Sequence, residues 1–244
     1  MIRFASINIE GDTHLDSVVS FLKSYKPEVV CFQELIEASI PFFERELEMK
    51  GYFMPVTIHN VRPFDATSPM GTFGVGLFSN FPVTDICKDY YVGGVGDVPR
   101  FQEEHPNSTI WRAILKGTVN KNNEKYVIAV THFTWTSDGS TSDEQREDFG
   151  SLLKITEKNS ELILCGDFNA PRGGEIFSKL SGKYKDNIPE GYASSLDTEL
   201  HRIGKVKRLM VDGLFTTPHY QVTEAMLSEG VSDHRAVTGL ISRV

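Results

Sequence analysis

Residues Ile2 to Ile7 alternate between apolar and small or polar side chains, the period of a half-buried strand, and the strand delivers Asn8 at its end. Leu15, Val18, Val19 and Leu22 then recur at i, i+3, i+4 and i+7. That spacing predicts an amphipathic helix capped by Asp12 or Thr13 and ended by Pro27. Glu28 to Gln33 predicts a second strand with Glu34 at its tip. Ser39 and Pro41 open a second helix, and Gly51 closes it. Tyr52 to Ile58 and Phe73 to Ser79 carry strand patterns. Thr109 to Val119 and Tyr126 to Thr131 form a hairpin across Asn120 to Asn123, and His132 follows it. A capping-box pair, Thr141 and Glu144, precedes a helix with Phe149, Leu152 and Leu153 on one face. A short helix near Glu175 to Leu180 and strands at Leu209 to Thr216 and Ala236 to Ile241 complete the series.

Between these elements lie irregular segments at 59–70, 91–107 and 183–207. The first contains Arg62, Pro63, Asp65 and Pro69, and the second is rich in glycine and proline. Loops of this length in a compact domain read as substrate-facing walls. The chain centres on Glu161-Leu-Ile-Leu-Cys-Gly-Asp167-Phe-Asn169. Its apolar half reads as a buried strand, with a short buried helix as the alternative. Asp167 and Asn169 leave it two residues apart and so on one face. Two readings stay open there: a carboxylate and carboxamide that align water and a phosphoryl oxygen, or an Asx turn capping local backbone.

Helices fall between strands, with no repeat, low-complexity tract or linker, so one α/β domain over residues 1–244 is expected. That length can bury a core without help from a metal or disulfide. Three cysteines, Cys31, Cys87 and Cys165, are an odd count that argues against a disulfide framework and for a reducing, cytoplasmic setting. No signal-peptide pattern opens the sequence, and no apolar run reaches the roughly 18 residues of a membrane span. The net charge of −8 disfavours a nonspecific nucleic-acid coat, although a nuclease with a local basic patch remains compatible with it.

Asn8, Glu34, His132, Asp167, Asn169 and the pair Asp233-His234 fall at or just past strand ends, and Asp212 sits inside the Leu209 to Thr216 strand. Glu34 and Asp212 are flanked by strongly apolar sequence, where a carboxylate needs a cation or hydrogen-bond donors. An oxygen-rich set without cysteines at zinc spacing favours Mg²⁺ or Mn²⁺.

Ser6-Ile-Asn8, Phe32-Gln-Glu34, Thr131-His132-Phe, Gly166-Asp167-Phe-Asn169, Val211-Asp212-Gly-Leu-Phe and Ser232-Asp233-His234 together resemble the endonuclease/exonuclease/phosphatase (DNase I-like) superfamily. The resemblance implies an α/β fold, a four-layer α/β/β/α sandwich of two mostly antiparallel sheets flanked by helices. It also implies Mg²⁺-dependent hydrolysis of a phosphate ester by in-line attack of water. On that resemblance Glu34 is the principal metal ligand, with Asn8 and Asp233 nearby. Asp167 orients or deprotonates the water, Asn169 holds a phosphoryl oxygen, and His234 paired with Asp212 contacts the phosphate. His132 matches a general acid of the DNase I and sphingomyelinase branches, and Arg112 matches a phosphate-facing arginine.

Two departures stand out. Gly213 replaces the aromatic residue or histidine of many relatives, and no carboxylate in Gly71 to Gly76 can partner His132. Trp135 reads equally as core or as a stacking surface for substrate. His14, His59, His105, His201 and His219 read as solvated, as does the run Lys205, Lys207 and Arg208 unless it meets a distal phosphate. The expected function is a phosphodiesterase of nuclease-like kind, its partner a phosphate ester, nucleic acid included. The alternatives are a phosphomonoesterase, a lipid phosphoesterase or a catalytically silent binding module. No protein partner can be read from the chain.

Overall fold

The computed structural model describes residues 1–60 and 70–244, so Arg62, Pro63, Asp65 and Pro69 lie outside the described residues. In chain order the elements are β1 (Ile2–Asn8), α1 (Leu15–Tyr25), β2 (Val29–Ile36), α2 (Ile40–Leu47), β3 (Lys50–His59) and β4 (Gly71–Ser79). They continue with β5 (Val83–Val92), β6 (Arg112–Lys121), β7 (Glu124–His132), α3 (Asp143–Thr156), β8 (Ile163–Asp167) and α4 (Glu175–Ser181). The last are β9 (Lys185–Asp186), β10 (Asp212–Thr216), β11 (Tyr220–Ser228) and β12 (Ala236–Arg243). None of the helices among the described residues is long and apolar enough to cross a membrane.

The strands form two six-stranded sheets, ordered β11-β12-β1-β2-β4-β3 and β5-β6-β7-β8-β10-β9. Only β1 with β2 and β7 with β8 pair in parallel among the paired strands. β1 shows how sequence sets the layers. Ile2 and Phe4 point between the sheets, while Ala5 and Ile7 point toward the helices, the two-residue period of a strand. Phe4, Cys31 and Leu77 meet Leu115, Val130 and Cys165 in the inter-sheet core. Val18, Leu22 and Phe43 cover the outer face of the first sheet, and Phe149, Leu152, Phe177 and Leu180 cover that of the second. Each such side chain contributes about 1.5–3 kcal/mol by leaving water. The result is the expected α/β/β/α sandwich, and Cys31 and Cys165 are buried thiols within it.

Several boundaries differ from the sequence reading. β5, β9 and β11 carried no recognised pattern. The cap of α3 is Ser142, whose side chain accepts from the Gln145 N–H at 3.0 Å, one residue beyond the expected Thr141. The α1 N-cap is His14, without a side-chain cap bond, in place of Asp12 or Thr13. α2 ends at Leu47 with Glu48 in the left-handed region, so Gly51 belongs to β3. Glu34 lies within β2 at a bulge, where the register with β4 shifts between Phe32 and Leu35 and φ is 56°. Asp212 is the first residue of its strand, with Leu209 to Val211 outside it.

Candidate active site

Neighbouring strand ends align the polar residues. His132, the last residue of β7, is in register with Asp167, the last of β8, which in turn faces Asp212 at the start of β10. Gly166 makes that alignment possible. Its φ is +144°, and a Cβ there would lie 1.9 Å from the Thr131 carbonyl oxygen. From the first sheet come Asn8, at the end of β1, and Glu34, turned out of β2 by the bulge. Asp233 and His234 enter just before β12, with His234 bridged to Leu196.

The Asp167 carboxylate divides its two oxygens. Oδ1 accepts the Asn169 backbone N–H at 2.8 Å, an Asx turn with Asn169 at φ 48°. Oδ2 accepts from Asn8 Nδ2 at 3.2 Å and lies 3.5 Å from His132 Nε2 and 3.7 Å from His234 Nε2. The turn reading therefore holds through Oδ1, while Oδ2 is left facing Asn8, His132 and His234. The Asn169 amide donates to the Phe133 carbonyl at 3.0 Å. Gln145, buried on α3, steadies the same turn by donating to the carbonyls of Thr134 and Asn169.

His234 Nδ1 lies 2.8 Å from Asp212 Oδ2, and Ser195 Oγ accepts the backbone N–H groups of Val211 and Asp212, which fixes that carboxylate's strand. Burial alone would lower the His234 pKa, but the carboxylates of Asp212 and Asp167 outweigh it and hold the imidazole well above its ordinary value. His132 behaves oppositely. Burial, helped by the Arg112 charge and opposed by Asp167, pulls it down to about 4, so it is neutral at pH 7. No carboxylate of β4 approaches it among the described contacts; its acidic neighbours are Asp167 and, at 3.9 Å, Glu34.

Glu34 is pushed up to about 7, chiefly by burial and then by Asp233, with the Asn8 hydrogen bond opposing. Burial also raises Asp233 to about 6. Asn8 commits both ends of its amide to the protein: Nδ2 reaches Glu34 at 3.0 Å and Asp167, and Oδ1 accepts the Glu10 N–H. Three groups of side chains hold ligand atoms within 4.8 Å of one another: His201, Asp233 and His234; Glu10, His14 and Asp233; Asp167, Asp212 and His234. A metal ion could be held there.

These residues open into a cleft of about 570 Å³. Arg112, at the start of β6, lines it and is only 2% exposed. Its guanidinium donates to Asn107 Oδ1 at 3.1 Å, its Nε has no hydrogen-bond partner, and no carboxylate lies within ion-pair distance among the described residues. Trp135, 46% exposed, stands on the rim and is not core.

Sequence reasoning brought Asn8, Glu34, Arg112, His132, Trp135, Asp167, Asn169, Asp212, Asp233 and His234 to this region, and the structure gathers them all. It missed Glu10, His201 and Arg202, which also line the cleft. Glu10 had a signal, two residues beyond Asn8 on the exit of β1; His201 had none. Three histidines read as solvated are engaged. His201 is in the cleft wall, His59 stacks between Phe73 and Phe101, and His14 Nε2 lies 3.0 Å from Glu10. His105 and His219 are exposed as expected. Lys205, Lys207 and Arg208 do not line the cleft, and Lys205 pairs with Glu199. Gly213 also has a reason: a Cβ there would meet the Phe215 ring at 2.3 Å and Phe168 at 2.8 Å.

Two six-stranded sheets packed between helices, with carboxylates, amides and imidazoles gathered at one end of the strands, define a DNase I-like α/β sandwich. Residues 5–234 match the endonuclease/exonuclease/phosphatase family, and the chain belongs to it. Members of that family are hydrolases acting on phosphate esters. No curated protein matches this sequence significantly. Among solved structures, the endonuclease/exonuclease/phosphatase from Bacteroides vulgatus is 17% identical with a TM-score of 0.70, covering 100% of this chain and 99% of that one. The human Nocturnin catalytic domain with bound sulfate is 18% identical with a TM-score of 0.69, covering 100% and 93%. A mannosyl-6-phosphatase of Bacteroides thetaiotaomicron is 13% identical with a TM-score of 0.67, covering 99% and 100%. At these identities the likeness is one of fold.

Proposed function

We propose that the chain is a Mg²⁺-dependent phosphodiesterase, hydrolysing a phosphodiester by in-line attack of water. The observation that carries this reading is Arg112, a buried cation with no carboxylate in ion-pair distance among the described residues, which lines the cleft holding Asp167 and His234. Such a guanidinium calls for an anion from outside the protein. A phosphoryl group answers both that need and the donors beside it.

Glu34 and Asp233 would hold the metal ion. The fit is chemical: Glu34 and Asp233 are half-buried carboxylates that both line the cleft, and both keep a raised pKa even with the His234 charge beside them, so a cation would be welcome there. When bound, the ion supplies charge neutralisation at the phosphate and lowers the pKa of water. Asn8 keeps Glu34 and Asp167 in place rather than serving as a ligand. Asp167 Oδ2 orients the attacking water and takes its proton. Asn169 and Arg112 hold phosphoryl oxygens, and the charged His234 stabilises the negative charge that builds on them. A general acid must carry a proton at the working pH, which His132 in the free site does not. We therefore give it a neutral hydrogen bond to the leaving oxygen. Trp135 offers a face to the organic part of the substrate, which can be a nucleic acid.

Hydrolysis of bis(p-nitrophenyl) phosphate beside p-nitrophenyl phosphate, in Mg²⁺, Mn²⁺ or EDTA, tests the reading. Metal-dependent turnover that favours the diester and is lost in Glu34→Ala is expected. Preference for the monoester would replace it with a phosphatase.

The metal assignment has its own test, independent of turnover. Between the ordinary carboxylate range and about 7, folded Glu34 and Asp233 hold protons that the unfolded chain has released. The stability of the metal-free protein therefore falls as pH rises through that window. A divalent ion competes with those protons, so Mg²⁺ is expected to raise Tm more at about pH 8 than at about pH 5.5. An equal rise at both would remove these two carboxylates from the metal site.

A further inference from the structure

His201 lies on the connection between β9 and β10, and three features hold it in the cleft wall. The Asp197 carboxylate ties the connection down: Oδ1 accepts the N–H groups of Glu199 and Leu200, both at 2.9 Å, and Oδ2 accepts that of Gly230 at 2.7 Å. Asp197 N–H donates to the Asp233 carbonyl at 2.8 Å, which fastens this turn to the segment carrying Asp233 and His234. Gly204 N–H donates to the His201 carbonyl at 3.0 Å, and a Cβ on Gly204 would lie 1.9 Å from the Asp197 carbonyl oxygen, so the chain can double back here only with glycine.

A contact of the ring itself decides the chemistry. His201 Nδ1 accepts the backbone N–H of Ile203 at 3.1 Å. A backbone amide nitrogen only donates, so Nδ1 must present its lone pair and the neutral ring carries its proton on Nε2. Protonating Nδ1 would set two N–H groups against each other. Nε2 lies 4.0 Å from Asp233 Oδ2, and the ring meets His234 edge-on with centroids 5.7 Å apart at 73°. The spacing to Asp233 and His234 suits a metal ligand, but ligation through Nε2 needs its lone pair there and a proton on Nδ1. The Ile203 N–H opposes that tautomer. The ring is built to donate.

Resting on the phosphodiesterase reading, we propose that His201 Nε2–H donates a hydrogen bond to a nonbridging oxygen of the scissile phosphate beside His234, as a further catalytic residue. A neutral donor stabilises developing charge without adding a cation to compete with the metal, and it stays a donor across the neutral pH range.

Ring-nitrogen NMR of protein labelled with ¹⁵N-histidine tests the tautomer in the metal-free protein. The Nε2–H form is expected, and an Nδ1–H form or an imidazolium overturns the proposal. His201→Ala should lower kcat/KM for bis(p-nitrophenyl) phosphate about 100-fold with an unchanged Tm, and His201→Gln, which keeps an N–H donor, should recover about tenfold. Unaltered kcat/KM in His201→Ala overturns it. Titration with inorganic phosphate reads the contact without turnover: the His201 Nε2 signal should shift together with that of His234. A response of His234 alone defeats the His201 contact and leaves the phosphodiesterase reading standing. Silence of both rings together with an inactive wild type defeats both.

Discussion

Replacing Asp167 with asparagine is expected to lower kcat/KM for a phosphodiester about 1,000-fold, within the range that removal of a positioned general base costs. The carboxylate and carboxamide have nearly the same shape, so the Asx turn through Oδ1 to the Asn169 N–H survives. What changes is the atom facing the cleft. Oδ2 now accepts from Asn8 and sits within 3.7 Å of both His132 and His234. An amide nitrogen in that place cannot take a proton from water, and it sets a donor against the Asn8 amide. The KM should move much less than kcat, because the proposed phosphate contacts of Arg112 and Asn169 are untouched. Measuring both constants alongside a thermal melt separates this from misfolding. Activity within tenfold of wild type in a folded Asp167→Asn protein would dismiss Asp167 as the base.

Asp212→Asn is expected to cost about 100- to 1,000-fold, through His234 rather than through any contact with substrate. Asp212 Oδ2 is 2.8 Å from His234 Nδ1 and the residue is buried, so the carboxylate fixes which nitrogen carries the proton and favours the charged ring. An asparagine that turns its N–H toward Nδ1 reverses that preference. The imidazole then has its lone pair on Nδ1, loses its charge and meets the phosphate as a neutral donor. The ring-nitrogen NMR signals of His234 should report the change from imidazolium to the neutral Nε2–H ring directly. A variant whose His234 stays an imidazolium yet loses activity would show that Asp212 acts in some other way.

The residues of the site were more legible in the sequence than the outline of the sheets, and the reason is burial. β1, β2, β8 and β10 lie inside their sheets, so their apolar runs stand out, with Asn8 and Asp167 at the ends of β1 and β8, Glu34 at the bulge of β2 and Asp212 at the start of β10. β5, β9 and β11 are edge strands. β5 mixes Asp85, Lys88 and Asp89 into its pattern and breaks register twice, and β11 is bulged between Thr223 and Met226. Charges and bulges protect an open edge from pairing with another chain, and they erase the period by which a strand is recognised. The bulge in β2 was hidden for a related reason: nothing local reveals that Glu34 adopts a left-handed backbone that lifts it from the sheet. His201 was invisible because its turn is fastened through Asp197 to Gly230 and Asp233, partners set by the tertiary fold. The basic run Lys205, Lys207 and Arg208, read as a solvated face unless it met a distal phosphate, stays outside the cleft lining.

The Asn8 amide has a consequence for how the two halves of the molecule depend on each other. One of its hydrogen bonds goes to Glu34 in its own sheet and the other to Asp167 in the opposite sheet. Neither sheet alone holds the whole set of candidate site residues. The first brings Glu34 and Asn8, the second His132, Asp167 and Asp212, and the working constellation exists only along the seam where they meet. A strand-to-strand displacement of about 1 Å at that seam breaks a hydrogen bond while leaving almost all apolar contacts in the inter-sheet core intact. On the proposed function, chemical competence would thus be a property of how the two sheets dock.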